Sequence, residues 1–417
     1  MKKCGLLGEK LGHSYSPRIH SLMADYEYKL YEIPQDDLEA FVKEGDWDGL
    51  NVTIPYKKAV VPLCDELSEA ALSIGSVNTL VKKKVSVKDG NNEAYKTVIY
   101  GDNTDLYGFK CLMEKNNVDP KGKKTLVLGN GGACASVRAV LEGAGADTVV
   151  ISRRGENNYD NLHLHKDAKI IVNTTPVGMY PRNGESPLDL ACFTGLEAVL
   201  DIVYNPSGTA LVLQAERMGI PAASGLYMLV AQAAGSSSLF SGNTVSKEKI
   251  DEIYRNLLYG MQNIILVGMP GSGKTTVAAK LSELTGRKSV DLDEAFTEKY
   301  GFTPEACITG QGELQFRKLE TEVIREYGAK SGLIISTGGG AVTVEENYDL
   351  LHQNGIIVWI QRDISSLPVD GRPISQKNPV RELYEKRKSM YSRFADITAD
   401  NNGSAEETAE YIISQLV

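Results

Sequence analysis

Residues 264–280 read IILVGMPGSGKTTVAAK. The four leading apolar residues predict a buried parallel strand, glycines then punctuate the chain, and a helix-forming run begins at Thr275. Gly268, Gly273, Lys274 and Thr275 satisfy the G-x-x-x-x-G-K-[ST] phosphate loop, in the strand–loop–helix setting that pattern requires. Such a loop, here with Gly271, Ser272 and Gly273, wraps a polyphosphate in backbone N–H groups, and the helix N-terminus adds partial positive charge. Lys274 reaches the β/γ-phosphates, the Thr275 hydroxyl ligates magnesium, and Thr276 completes the ATP-binding run. The loop starts past residue 260, which leaves room upstream for a separate protein. Two enzymes on one chain are expected.

The bulk properties agree. A chain of 417 residues is long for one core, and two or three domains of about 100–200 residues are expected. The 45 basic and 54 acidic residues give a net charge of −9, with no basic block suited to nucleic acid. Anionic ligands must therefore be held by a few local Arg and Lys side chains. Six scattered cysteines without a C-x-x-C pair argue for reduced thiols, and against zinc or a disulfide framework. No apolar run approaches a membrane span, so a cytoplasmic protein is expected. The sequence sets no oligomeric state.

The first hundred residues place polar groups at strand–loop junctions. GHSYSPRIH brings Ser14 and Ser16 to a loop before Pro17, where two hydroxyls can face one carboxylate or simply cap a helix. NVTIPYK reads as a strand ending at Pro55 that delivers Lys57 to a loop at its C-terminal edge, where open α/β sheets place ligands. GSVNT puts Asn78 at a turn, and GDNTD supplies Asp102 and Asp105. An Asp beside a Lys keeps the ammonium protonated and positioned, which suits proton donation to a carbonyl oxygen receiving hydride.

These four motifs, in this order and spacing, resemble the substrate domain of shikimate dehydrogenase. The resemblance implies that Lys57 and Asp105 form the catalytic dyad and that Ser14 and Ser16 hold the substrate carboxylate. It also implies that Thr53, Asn78 and Asp105 contact the ring hydroxyls, while a turn-capping role suits Asp102 better.

Downstream, KTLVL and a glycine turn carrying Gly129, Gly131, Gly132 and Ala133 open a helix, a shortened form of the dinucleotide fingerprint. The strand DTVVIS follows after about 20 residues and ends in Ser152-Arg153-Arg154, whose guanidiniums suit the 2′-phosphate of NADP. By the same family resemblance, Thr175 in NTTPVGM, Gly225 and Met228 lie near the nicotinamide, and Tyr204 and Gln232 face the substrate. Residues 235–246, GSSSLFSGNTVS, read as a linker by composition. The run after them is helical, with Ile250, Ile253 and Leu257 on one face, which puts the boundary near residues 259–262.

In the last third, SVDLDEAF predicts a strand end with Asp291 and Asp293 pointing the same way, one for the magnesium shell and one for a substrate hydroxyl; an acidic helix N-terminus is the competing reading. Arg317, the run Gly338–Gly339–Gly340 at a strand end, Arg372 in a proline-rich lid and Arg387 on a helix complete the set. Together with the phosphate loop these motifs resemble shikimate kinase, which implies that Asp293, Arg317, Gly339 and Arg387 bind shikimate and Arg372 covers ATP.

The expected fold class is α/β: a two-domain dehydrogenase, with a substrate domain over 1–108 and a Rossmann-like NADP domain over 109–260, then a P-loop kinase with a parallel sheet over 261–417. The expected cofactors are NADP(H), ATP and Mg²⁺, and the expected catalytic residues are Lys57, Asp105, Lys274 and Asp293. The expected partners are the small molecules 3-dehydroshikimate and shikimate. A second reading pairs an NAD-linked quinate/shikimate dehydrogenase with a nucleotide-sensing module that does not turn over.

Overall fold

The computed structural model describes residues 1–12, 14–89, 92–367 and 380–416, with side chains left out over 87–94. Three sheets follow one another along the chain. The first has the order β2-β1-β3-β5-β6-β4 and comprises β1 (Lys3–Gly8), β2 (Glu27–Glu32), β3 (Gly49–Val52), β4 (Glu66–Leu67), β5 (Thr79–Asp89) and β6 (Asn92–Asp102). β1 lies parallel to both β2 and β3, and the long β5–β6 hairpin pairs antiparallel. Leu7, Trp47, Leu50, Tyr56 and Leu80 form its buried core.

The second sheet is parallel, in the order β11-β10-β9-β7-β8, from β7 (Lys124–Leu128), β8 (Asp147–Ile151), β9 (Ile170–Asn173), β10 (Ala198–Asp201) and β11 (Ala222–Ser224). The third is also parallel, β13-β14-β12-β15-β16, from β12 (Asn263–Val267), β13 (Ser289–Asp291), β14 (Ile334–Ser336), β15 (Gly355–Gln361) and β16 (Ile397–Asp400). In both parallel sheets the strand feeding the glycine turn, β7 or β12, has successors on either side. The order reverses there, and the carboxyl end of such a strand opens a ligand crevice. β12 is buried at every position, as a strand covered on both faces should be.

By packing, the chain forms two units. One comprises Met1–Pro176, Pro187–Tyr204 and Gln214–Tyr254; the other comprises Val177–Ser186, Asn205–Leu213 and Arg255–Val417. Three stretches of the expected span 109–260, Val177–Ser186, Asn205–Leu213 and residues 255–260, thus count with the second unit, where the Gly208 N–H donates to Gln353 O at 2.7 Å.

Three expectations need correction. Of the segment read as a linker, residues 235–241 belong to a helix, Leu226–Ser241, with Ser236 and Ser237 fully buried, and only 242–246 lie outside it. Its small residues serve packing: a Cβ on Gly235 would lie 3.2 Å from the Thr104 side chain. Three of the serine hydroxyls donate within the helix: Ser236 to Gln232 O at 3.0 Å, Ser238 to Ala234 O at 2.8 Å and Ser241 to Ser237 O at 2.8 Å. The strand expected to reach Pro55 stops at Val52, because the Tyr56 N–H bonds Thr53 O at 2.9 Å and turns the chain. Asp293 does not continue a strand. Asp291 ends β13 and caps the helix Leu292–Tyr300 by accepting from the Asp293 N–H at 2.9 Å.

No described helix is long and apolar enough to cross a membrane.

Candidate active sites

In the first unit the predicted motifs converge on one cavity of about 270 Å³, lined by Ser14, Ser16, Thr53, Lys57, Asn78, Asp105, Ala133, Tyr204, Gly225, Met228 and Gln232, with Asn51 beside them. Lys57 is set by its neighbour: Tyr56 is 1% exposed and its hydroxyl donates to Ile33 O at 2.6 Å, which anchors the loop. Lys57 O accepts from the Val77 N–H at 2.8 Å, tying that loop to the turn that carries Asn78. Asp105 opens the helix Asp105–Lys115, and its Oδ2 lies 2.6 Å from Lys57 Nζ. Its Oδ1 accepts from Asn78 Nδ2 at 2.8 Å.

Asn78 in turn is fixed from behind. Its Oδ1 accepts from the Thr104 N–H at 2.8 Å and from the Thr79 hydroxyl at 3.0 Å, so only its amide nitrogen is left to address the cavity. Asp102 stands apart from the cavity lining: it accepts from the Ser68 hydroxyl and from the Asn103 N–H at 2.7 Å, a turn-capping role. Tyr204 meets Tyr15 edge-on, ring centroids 6.1 Å apart.

The dinucleotide side adjoins this cavity through Ala133, Gly225 and Met228. Gly129 has φ +100°, and a Cβ there would lie 2.8 Å from the Thr175 side chain, so the turn demands glycine. At Gly131 and Gly132 a Cβ would meet nothing within 4 Å, an open cradle before the helix Gly132–Gly143. Thr175 is held by Asn173, with its hydroxyl 2.7 Å from Oδ1. The Ser152 hydroxyl donates to Arg154 O at 3.0 Å and so shapes the tip of β8, where Arg153 and Arg154 are exposed. The open cradle and two exposed guanidiniums fit a phosphorylated dinucleotide.

The second unit holds a cavity of about 350 Å³, lined by Gly271, Lys274, Thr275, Asp291, Asp293, Arg317, Glu320, Gly338, Gly339, Gly340 and Arg387. Lys274 starts the helix Lys274–Thr285 and donates to the carbonyls of Gly268 and Met269, both at 3.1 Å. The Thr275 hydroxyl donates to Asp291 Oδ2 at 2.9 Å. Ser272 is buried and its hydroxyl oxygen has no hydrogen-bond partner among the described residues, an orphan inside the phosphate loop. Thr276 is exposed on the first turn of the helix.

Arg317 Nη1 lies 2.6 Å from Glu320 Oε2, and Nη2 lies 3.1 Å from Glu313 Oε1. Arg387 Nη1 donates to Gly339 O at 3.1 Å. The triple glycine makes room for side chains as much as for a ligand. A Cβ at Gly340 would overlap the Arg317 guanidinium at 2.0 Å, and one at Gly338 would lie 2.6 Å from Glu320 Oε1. Burial and the nearby Glu320 and Asp291 carboxylates push the Asp293 pKa up to about 6. Burial raises that of Glu320 as well. Arg372 lies outside the described residues.

Among the described residues no cluster of three His, Cys, Asp or Glu side chains could hold a metal alone. One carboxylate and one hydroxyl at Asp291 and Thr275 suit Mg²⁺, which keeps waters and takes phosphate oxygens.

Residues 6–80 match the family model described as shikimate dehydrogenase substrate binding domain, and residues 270–417 match the one described as shikimate kinase. A shikimate dehydrogenase (NADP(+)) from Clostridium perfringens strain SM101 is 34% identical over 279 residues, which cover 62% of this chain and 98% of that relative. The chain belongs to the shikimate dehydrogenase family and carries a shikimate kinase domain behind it. The dehydrogenase half is similar to a solved chorismate mutase/shikimate 5-dehydrogenase fusion protein from Clostridium acetobutylicum, 36% identical with a TM-score of 0.55, over 61% of this chain and 97% of that one. It is also similar to shikimate 5-dehydrogenase from Thermus thermophilus, solved with NADP(H) and shikimate, at 28% identity and TM-score 0.53, over 61% and 99% of the two chains.

Three residues that support or line these sites are given no role by the sequence motifs. Asn51 stands in NVTIPYK, but only the fold shows it pinned by the Tyr28 hydroxyl at 2.8 Å and by Ser236 at 2.6 Å. Ser236 itself falls in the stretch whose composition suggests a linker. Glu320 follows Arg317 at helical i+3 spacing, a signal the sequence does contain.

Proposed function

We propose that the dehydrogenase half reduces 3-dehydroshikimate with NADPH and that the kinase half phosphorylates the resulting shikimate with MgATP. The observation that carries the first reaction is the 2.6 Å Lys57–Asp105 pair facing a cavity lined by two serines and an asparagine amide. Lys57 holds a proton at Nζ and delivers it to the substrate oxygen as the carbonyl becomes a hydroxyl. Asp105 keeps the ammonium aimed, and Asn78 keeps Asp105 from rotating. Ser14 and Ser16 take the carboxylate; Thr53, Asn78 and Asp105 take ring hydroxyls, with Tyr204 and Gln232 also in the lining.

Gly129, Gly131, Gly132 and Ala133 give the pyrophosphate close approach, and Arg153 with Arg154 take the 2′-phosphate at the tip that Ser152 shapes. Thr175, Gly225 and Met228 lie toward the nicotinamide. NADPH supplies hydride and MgATP the phosphoryl group.

In the kinase half, Gly271, Ser272, Gly273, Lys274 and Thr276 hold the phosphates, and Thr275 with Asp291 holds Mg²⁺. Asp293, with a pKa of about 6, accepts the proton of the attacking hydroxyl. Arg317 and Arg387 pair with the substrate carboxylate beside Gly339; by the family resemblance Arg372 covers ATP. The oxygen made a hydroxyl in the first reaction is the one phosphorylated in the second. All six cysteines are free, which supports a reducing, cytoplasmic setting.

The test is one mixture of the full chain with 3-dehydroshikimate, NADPH and MgATP. The expected result is loss of NADPH absorbance and ATP-dependent appearance of a phosphorylated product. NADPH loss without that product sinks the kinase reading; phosphorylation of added shikimate without NADPH loss sinks the dehydrogenase reading.

A further inference from the structure

The residue after β16 braces the phosphate loop from behind. Asn401 is 5% exposed, and its Nδ2 donates to Ser272 O at 2.7 Å. Its own N–H donates to Gln361 O at 2.8 Å, continuing the ladder between β15 and β16. Its Oδ1 lies 3.0 Å from the Thr408 hydroxyl. The amide can face only one way: a carbonyl accepts but does not donate, so the nitrogen must meet Ser272 and the oxygen must meet the hydroxyl. Next in the chain, Gly273 has φ +94°, and a Cβ on it would lie 2.3 Å from Asn401 Nδ2. Asn401 therefore fills the space a side chain at 273 would need.

We propose that Asn401 is a positioning residue for the nucleotide site, acting on one peptide plane. A trans peptide is planar, with its C=O and N–H pointing opposite ways. Holding the Ser272 carbonyl against Asn401 turns the Gly273 N–H to the other face of the loop, the face proposed above for the phosphates. Glycine alone sets no such preference, since its backbone adopts many conformations at similar cost. The hydrogen bond from a rigid sheet end supplies the restraint. Thr408 stands one step further back, its hydroxyl shared between Asn401 Oδ1 and the carbonyls of Asp400 and Ser404. This inference rests on reading the loop as the ATP cradle.

The experiment compares the wild-type full chain with Asn401→Ala and Thr408→Val. The readouts are the KM for ATP, the Kd for MgADP by titration calorimetry, the KM for shikimate, and dehydrogenase activity on the same chain. Asn401→Ala is expected to raise the ATP KM and MgADP Kd about tenfold, the size of one lost hydrogen bond. Thr408→Val should raise them about threefold, with the shikimate KM and NADPH-dependent rate unchanged in both. Nucleotide terms within twofold of wild type in both variants overturn the proposal. So does an equal rise in the ATP and shikimate terms, the mark of general loosening. If Asn401→Ala fails to fold, seen as a lost melting transition, the Thr408→Val titration decides by the same criterion. A wild type that binds MgADP but does not phosphorylate shikimate defeats the substrate reading and leaves this inference to be judged on MgADP alone.

Discussion

In the dehydrogenase pocket the ionic groups are closed on one another. Lys57 meets Asp105, Asp105 meets Asn78, and Asn78 is backed by Thr79 and Thr104. The kinase pocket has a buried ion pair of its own, Arg317–Glu320, but does not close it fully. Asp291, Asp293 and Glu320 share it with Lys274, Arg317 and Arg387. There Arg317 Nε and Glu320 Oε1 are buried without hydrogen-bond partners among the described residues. An unsatisfied buried polar atom costs about 1–3 kcal/mol, so this pocket holds stability in reserve that a polar ligand can recover. The difference teaches that one half is organised before its substrate arrives, whereas the other is completed by it.

The sharpest way to break the comparison is to remove the closed pair. Lys57→Ala should lower the dehydrogenase kcat by about 10³-fold, within the range general acid–base groups contribute, and leave shikimate phosphorylation intact. A loss under tenfold in a steady-state NADPH assay would show that the pair is not the proton source.

The kinase pocket should respond to pH. Asp293 has a pKa of about 6 and must be ionised to accept a proton. Phosphorylation kcat/KM should therefore rise with pH up to about 6 and level above it. Asp293→Asn should remove that limb and about 10²-fold of the rate. The stability sign is opposite. The folded carboxyl keeps a proton that the unfolded chain releases near pH 4, so wild type should lose stability relative to Asp293→Asn as pH rises from about 4 to about 6. Thermal melts of the two proteins across that window check this.

A smaller effect tests the dinucleotide side. Arg153→Asp should raise the KM for NADPH about 10- to 100-fold while sparing NADH, because a carboxylate repels the 2′-phosphate that a guanidinium binds. Equal losses with both cofactors would move the phosphate elsewhere.

The smallest concerns packing. Gly235→Val pushes a side chain into Thr104, whose Cβ is already 3.2 Å from an added Cβ. It should cost about 1–3 kcal/mol, read as a lower melting temperature of the dehydrogenase half.

Much of this is legible in the chain. Motifs that repeat a physical device, such as the glycine turn after β12 or the Asn-Thr-Asp run that leads into the helix Asp105–Lys115, announce themselves because chemistry fixes their spacing. Supporting residues do not. Ser236 and Asn51 lie 185 positions apart, and nothing local marks them as partners. The serine-rich stretch misleads because composition reports what a segment contains, not what presses against it. Asp293 reads as strand because D-L-D has period two, but the Asp291 side chain begins a helix first.

That glycine- and serine-rich helix has a practical consequence for anyone separating the two activities. A cut within residues 235–241 would sever buried helix rather than tether. The next helix, Lys247–Met261, ends one residue before β12 begins at Asn263. Between Leu226 and Val267 only residues 242–246 and Gln262 lie outside helix or strand. Proteases that need extended, accessible backbone should therefore find few footholds there.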